Sequence, residues 1–164
     1  MNVQLKAERN DIAEESPIVF RISKDLPFTA NDARQDFQAQ VWCPDADVAH
    51  NADKLREFHA RIACGNVKDE VSVTFAVRQM DPPLRVHPGR CTLTLLATPS
   101  NRIIVSVQLT SLQPGRNTSN LLDTCAIHFE TVPNCVENFF RQLDGSSHSS
   151  LQASLKGFEL GETA

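Results

Sequence analysis

Three stretches between Val71 and Leu109 alternate apolar and polar residues with a period of two. Val71, Val73, Phe75 and Val77 alternate with Ser72, Thr74 and Ala76. Cys91, Leu93 and Leu95 alternate with Thr92 and Thr94. Ile103, Val105, Val107 and Leu109 alternate with Ile104, Ser106 and Gln108. Successive side chains of a strand point to opposite faces, so each stretch reads as a half-buried strand with one face inward. The short turn Thr98-Pro99-Ser100-Asn101 joins the second stretch to the third as a hairpin.

The same period recurs more briefly elsewhere. Ile18 to Ile22 reads as a strand opened by Pro17. Phe37, Ala39 and Val41 give a second, with Trp42 on its opposite face, and Pro44 stops it. Cys125, Ile127 and Phe129 give a further strand. Two segments carry helical spacing instead. In the first, Asn51 or Asp53 can serve as N-cap, Leu55, Phe58, Ala60 and Ile62 approximate one apolar face, and Gly65 fits the left-handed position past the end. The second opens at Thr131 and Pro133, buries Val136, Phe139, Phe140 and Leu143, and ends at Gly145. The order β-β-α-β-β-β-β-α predicts an α+β fold: an antiparallel sheet of about six strands with two helices packed on one face or edge. Residues 1–16 read as a flexible N-terminus, 17–145 as a single α+β domain, and 146–164 as a polar C-terminal tail. A chain of 164 residues buries roughly 70% of its unfolded surface, enough for a core without metal or disulfide staples.

Composition narrows the function classes. The net charge is -4, with only 16 Lys and Arg, and the aromatics are nine Phe, one Trp and no Tyr. Nucleic-acid binding needs clustered cations or stacking faces, so it is not expected. No stretch approaches the ~20 apolar residues of a bilayer-spanning helix, and the polar, acidic start is unlike a secretory signal, so no membrane association is expected. Five widely spaced cysteines, Cys43, Cys64, Cys91, Cys125 and Cys135, suit free thiols in a reducing, cytoplasmic setting.

A search for chemistry yields no catalytic constellation. The five histidines form no local pattern with Ser, Cys or Asp, and no Gly-rich phosphate loop is present. Cys43, His50, His59 and Cys64 fall close together in sequence, yet their spacing is not that of zinc ligands, so neither metal nor cofactor is expected. Cys135 falls at a helix start, where a thiol pKa can drop, although a packed, inert cysteine is the more common case. Asp45 and Asp47 could make a carboxylate pair, although Asp in a loop after a strand is usually a turn former.

The Trp-bearing strand Asp36–Trp42, the helix around Lys54–Phe58, the strands Leu93–Leu95 and Ile103–Leu109 and the closing helix Val136–Leu143 together resemble, in order, the WapI-type immunity proteins of bacterial polymorphic-toxin systems. The resemblance spans residues 17–145 and rests on element order. It implies a cytosolic, non-catalytic domain that neutralises a cognate toxin by occlusion. The expected contact surface comprises the polar sheet face and the loops at 44–50 and 113–120, with Trp42, Asp45, Asp47, Arg116 and His128 as binding residues. The alternatives are a small acidic secretion chaperone or adaptor, and an enzyme or ligand-binding domain with a pocket beside His59 or His128.

Overall fold

The structure, a computed structural model, describes residues 2–9, 17–25, 34–65, 68–77, 89–112, 122–145 and 150–160. The elements are β1 (Asn2–Arg9), β2 (Ile18–Asp25), β3 (Arg34–Val41), α1 (Asp45–Ala63), β4 (Glu70–Phe75), β5 (Arg90–Ala97), β6 (Ile103–Leu112), β7 (Leu122–Thr131), α2 (Pro133–Asp144) and β8 (Leu151–Phe158). All strands are antiparallel neighbours in one sheet of order β3-β2-β1-β8-β7-β6-β5-β4. The α+β class and the antiparallel sheet are as expected. The strand number is not: the sheet has eight strands rather than about six. The two additional strands, β1 and β8, lie in the segments read as flexible N-terminus and polar tail, and they pair with each other in the middle of the sheet.

The reason both strands escape a sequence reading is physical. In β1 the inward residues are Val3, Leu5 and Ala7, followed by Arg9, so the apolar signal fades along the strand. In β8 the inward row is Leu151, Ala153, Leu155 and Gly157. Leu151 and Leu155 stand four apart, a spacing that fits a helix turn as well as a strand.

The inward rows of all eight strands share one core with both helices. β3 comes close to β5 and β6, although β2, β1, β8 and β7 separate it from β6 in the sheet. The sheet therefore curls until its two halves face each other. Phe20 of β2 meets Phe75 of β4 with ring centroids 5.1 Å apart. Each fully buried Phe of this kind contributes roughly 1.5–3 kcal/mol. Where the halves close, Gly89 (φ 74) lies against the Gln40 carbonyl, and a Cβ there would overlap the oxygen.

The α1 helix begins at Asp45, six residues before Asn51, and neither Asn51 nor Asp53 caps it. Pro44, extended at φ -62 and ψ 145, stands at the N-cap position of α1, and its carbonyl accepts from the amides of Asp47 and Val48. Asp45 and Asp47 in the first turn complement the positive end of the helix dipole. The buried stripe is Val48, Asn51, Ala52, Leu55 and Phe58, while Ala60 is exposed. Gly65 takes the expected left-handed conformation (φ 96). The α2 helix matches its expectation: Pro133 sits in the first turn, and Val136, Phe139, Phe140 and Leu143 are buried.

Hydrogen bonds tie the helices to strands. Asn51 Nδ2 donates to the Thr74 carbonyl at 2.8 Å and Lys54 Nζ to the Ser72 carbonyl at 3.1 Å, which satisfies acceptors on the edge strand β4. The Ser154 amide of β8 donates to Gln142 Oε1 at 2.8 Å, and Thr131 Oγ1 donates to the Lys156 carbonyl at 2.6 Å. β8 needs these partners because its only pairing with β7 is Glu130↔Phe158. At that seam a Cβ on Gly157 would overlap the Phe129 ring and the Glu130 carbonyl.

Candidate functional site

The outward face of β4, β5, β6 and β7 follows directly from the strand register. One row across it is Ser72, Thr94, Ser106 and His128; the next is Thr74, Thr92, Gln108 and Ala126. Neither row contains Asp, Glu, Lys or Arg. Hydroxyls pair across strands, Ser72 Oγ with Thr94 Oγ1 at 3.2 Å and Ser106 Oγ with His128 Nδ1 at 2.8 Å. Ser72, Thr74, Gln108, Ala126 and His128 are exposed, and the remainder are half-buried.

Charge appears only where this face ends. The row beyond the first is Glu70, Leu96, Ile104 and Glu130, with Arg102 Nη1 holding Glu130 Oε2 at 3.2 Å. Arg90 stands at the other end, opposite Thr110. Leu96 is 38% exposed and is one of two large hydrophobic side chains exposed among the described residues. Its cross-strand neighbour Ile104 widens it to an apolar pair. The result is a neutral, hydrogen-bonding surface with an apolar end and a charged border.

Of the binding residues expected from sequence, His128 lies on this face and Arg116 lies outside the described residues. Trp42 is half-buried just beyond the end of β3 rather than on the strand. Asp45 and Asp47 lie in the first turn of α1, so residues 45–50 are helix and not loop. Asp45 Oδ1 accepts from Arg9 Nη2 at 2.5 Å. Arg9 is only 6% exposed, and its Nε and Nη1, with Asp45 Oδ2, are enclosed without hydrogen-bond partners among the described residues. This pair joins the end of β1 to the start of α1, so Asp45 has a structural partner of its own.

The chain does not bring together the Cys and His set noted in sequence. Cys43 is buried before α1 and Cys64 is exposed after it, and a helix of 19 residues separates them by roughly 28 Å at about 1.5 Å per residue. Among the described residues no group of three or more His, Cys, Asp or Glu is placed to hold a metal ion. His59 stands between the helices, with Nε2 4.0 Å from Glu137 Oε2 and its ring edge-on to Phe140. Burial pushes the Cys43 thiol up to about 11 and raises Cys91 and Cys125 too, which holds these thiols in the unreactive form.

The sequence signal for the neutral face is the run of Ser, Thr and Gln at alternate positions. Register turns that run into two ladders, and register is invisible to a single strand. Comparison with family models, with curated proteins and with solved structures finds no match to this chain.

Proposed function

We propose that this chain is a non-catalytic protein-binding domain of immunity type, which neutralises a cognate toxin by covering it. The observation that carries the reading is the neutral outward face of β4–β7, bordered by Glu70, Glu130 and Arg90. Charge depletion at the centre with a charged rim is the anatomy of a protein interface. Four strands about 4.8 Å apart and two neutral rows about 6.8 Å apart make a charge-free patch of roughly 260 Å². A standard interface takes about 800 Å² per partner, so this face forms the middle of the contact. Leu96 and Ile104 supply an apolar anchor, and the chain's net charge of -4 suits a basic partner by speeding encounter.

The test is retention of a partner from the native host by tagged protein, followed by binding of the purified pair. One stoichiometric toxin whose activity the protein blocks is the expected result. The double variant Thr74→Arg, Gln108→Arg puts charge on two exposed outward positions and should weaken that binding at least tenfold, while Arg21→Glu on the other half of the sheet should not. Unchanged binding by the double variant refutes the surface. A spread of unfolded secreted clients refutes the immunity reading in favour of the chaperone.

A further inference from the structure

A cavity of about 390 Å³ opens at the opposite half of the sheet, lined by residues of β1, β2, β8 and the first turn of α2. Register places Ser23, Gln4 and Lys156 side by side across three strands, and Asn2 and Phe158 one row further on. Cys135 of α2 lines the same cavity. Its volume falls within the range of small-molecule sites.

Three features give it a chemical preference. Ser23 is only 5% exposed although it lies on an outward row. Its hydroxyl faces the cavity with no hydrogen-bond partner among the described residues. Lys156 is exposed and forms no ion pair among the described residues. The α2 N-terminus has neither a side-chain cap nor an acidic residue in its first turn; the Cys135 and Val136 amides are given to the Val132 carbonyl, so it contributes the positive end of its dipole rather than hydrogen-bond donors. Phe158, on the outward parity with Asn2, contributes apolar surface to the same lining. Asp25 on the wall already has an interaction of its own, and its charge disfavours a dianion.

We propose that this cavity binds a small organic monocarboxylate. The carboxylate takes Lys156 Nζ and the Ser23 hydroxyl within the field of the α2 dipole, and a short carbon chain rests on Phe158. The site is separate from the neutral face of β4–β7 and does not depend on the protein-binding reading.

Propionate titrated into the isotopically labelled protein tests it, with propionamide and inorganic phosphate as comparators. Propionate should give saturable amide shifts confined to residues 2–4, 23–25, 134–136 and 156–158. Lys156→Met should weaken it at least tenfold, Lys156→Arg should restore most of it, and Ser23→Ala should weaken it several-fold, all with unchanged thermal midpoints. Cys135 gives an independent readout through alkylation, in which its sulfur displaces iodide and releases a proton to water. The ratio of modification by iodoacetate to that by iodoacetamide should be several-fold higher at Cys135 than at the exposed Cys64, and Lys156→Met should abolish the difference. Equal shifts with propionamide, equal binding of phosphate, or indifference to Lys156→Met would each overturn the assignment.

Discussion

Arg9 and Asp45 are the residues on which the join between β1 and α1 most depends. A guanidinium that is 6% exposed is held by one carboxylate at 2.5 Å, with the remaining donors enclosed. Removing Asp45 leaves the Arg9 charge buried, at a cost of about 3 kcal/mol, whereas removing Arg9 leaves a carboxylate that is 31% exposed and costs less. Arg9→Met and Asp45→Asn should each lower the urea midpoint accordingly, and Arg9→Met with Asp45→Leu should recover most of the loss. Charge reversal at Asp45 would report on folding before it reported on any partner. The buried thiols make a second residue-scale prediction. Cys43 is raised from 9.0 to about 11 and Cys91 is raised further by complete burial. Between pH 9 and 11 the unfolded chain loses these protons and the folded chain keeps them, so stability falls as pH rises through that window. Denaturation at pH 8, 9 and 10 should show the decline, with a shallower slope for Cys43→Ala. Asp69 acts at the other end of the scale, because its hydrogen bond from Arg61 holds the carboxyl below its usual range. That contribution is present above the unfolded pKa near 4 and fades as the solution is acidified.

At the scale of elements, the seam between β7 and β8 is the place where substitution should matter most. Gly157 has no room for a Cβ between Phe129 and Glu130, and overpacking a closed core typically costs 1–3 kcal/mol. Gly157→Ala should lower stability by about that amount, and amide exchange should quicken at Glu130 and Phe158 before it does in β5 or β6. Asn51→Ala should cost about 1–2 kcal/mol, because the Thr74 carbonyl would lose its donor beside a buried side chain. The strands β4 to β7 and the α2 helix were legible in the sequence because each carries one unbroken period. The start of α1 was obscured by Asn51, a capping residue type that instead reaches across to an edge strand. β1 and β8 were obscured because a small residue or a glycine occupies the very inward positions that would have marked them. Of the surface, its polarity could be read in advance. The absence of charge across two whole rows required register, and the cavity beside Ser23 required α2 to come down beside β8.

For the molecule as a whole, the two halves of the curled sheet carry different outward chemistry. The β4–β7 half presents neutral hydroxyls, whereas β1, β2 and β8 present Lys6, Glu8, Arg21 and Lys156 on their outer rows. A partner held by the neutral face should bind with weak dependence on salt. Raising sodium chloride from 0.05 to 0.5 M should change its off-rate little, while its on-rate falls as the steering by the chain's net charge of -4 is screened. Surface plasmon resonance on the purified pair separates the two effects.

The pairing of β1 with β8 also sets the order in which a nascent chain can finish folding. Arg9 leaves the ribosome long before its neighbour Leu151 exists, and at roughly 5–20 residues per second the wait for the last strand is roughly 8–30 s. Throughout that interval β1 can pair with β2 while its other edge stays bare. A bare edge is a template for another nascent strand, so chains that stall before Leu151 should be drawn into aggregates or onto chaperones, and synthesis speed becomes a determinant of yield.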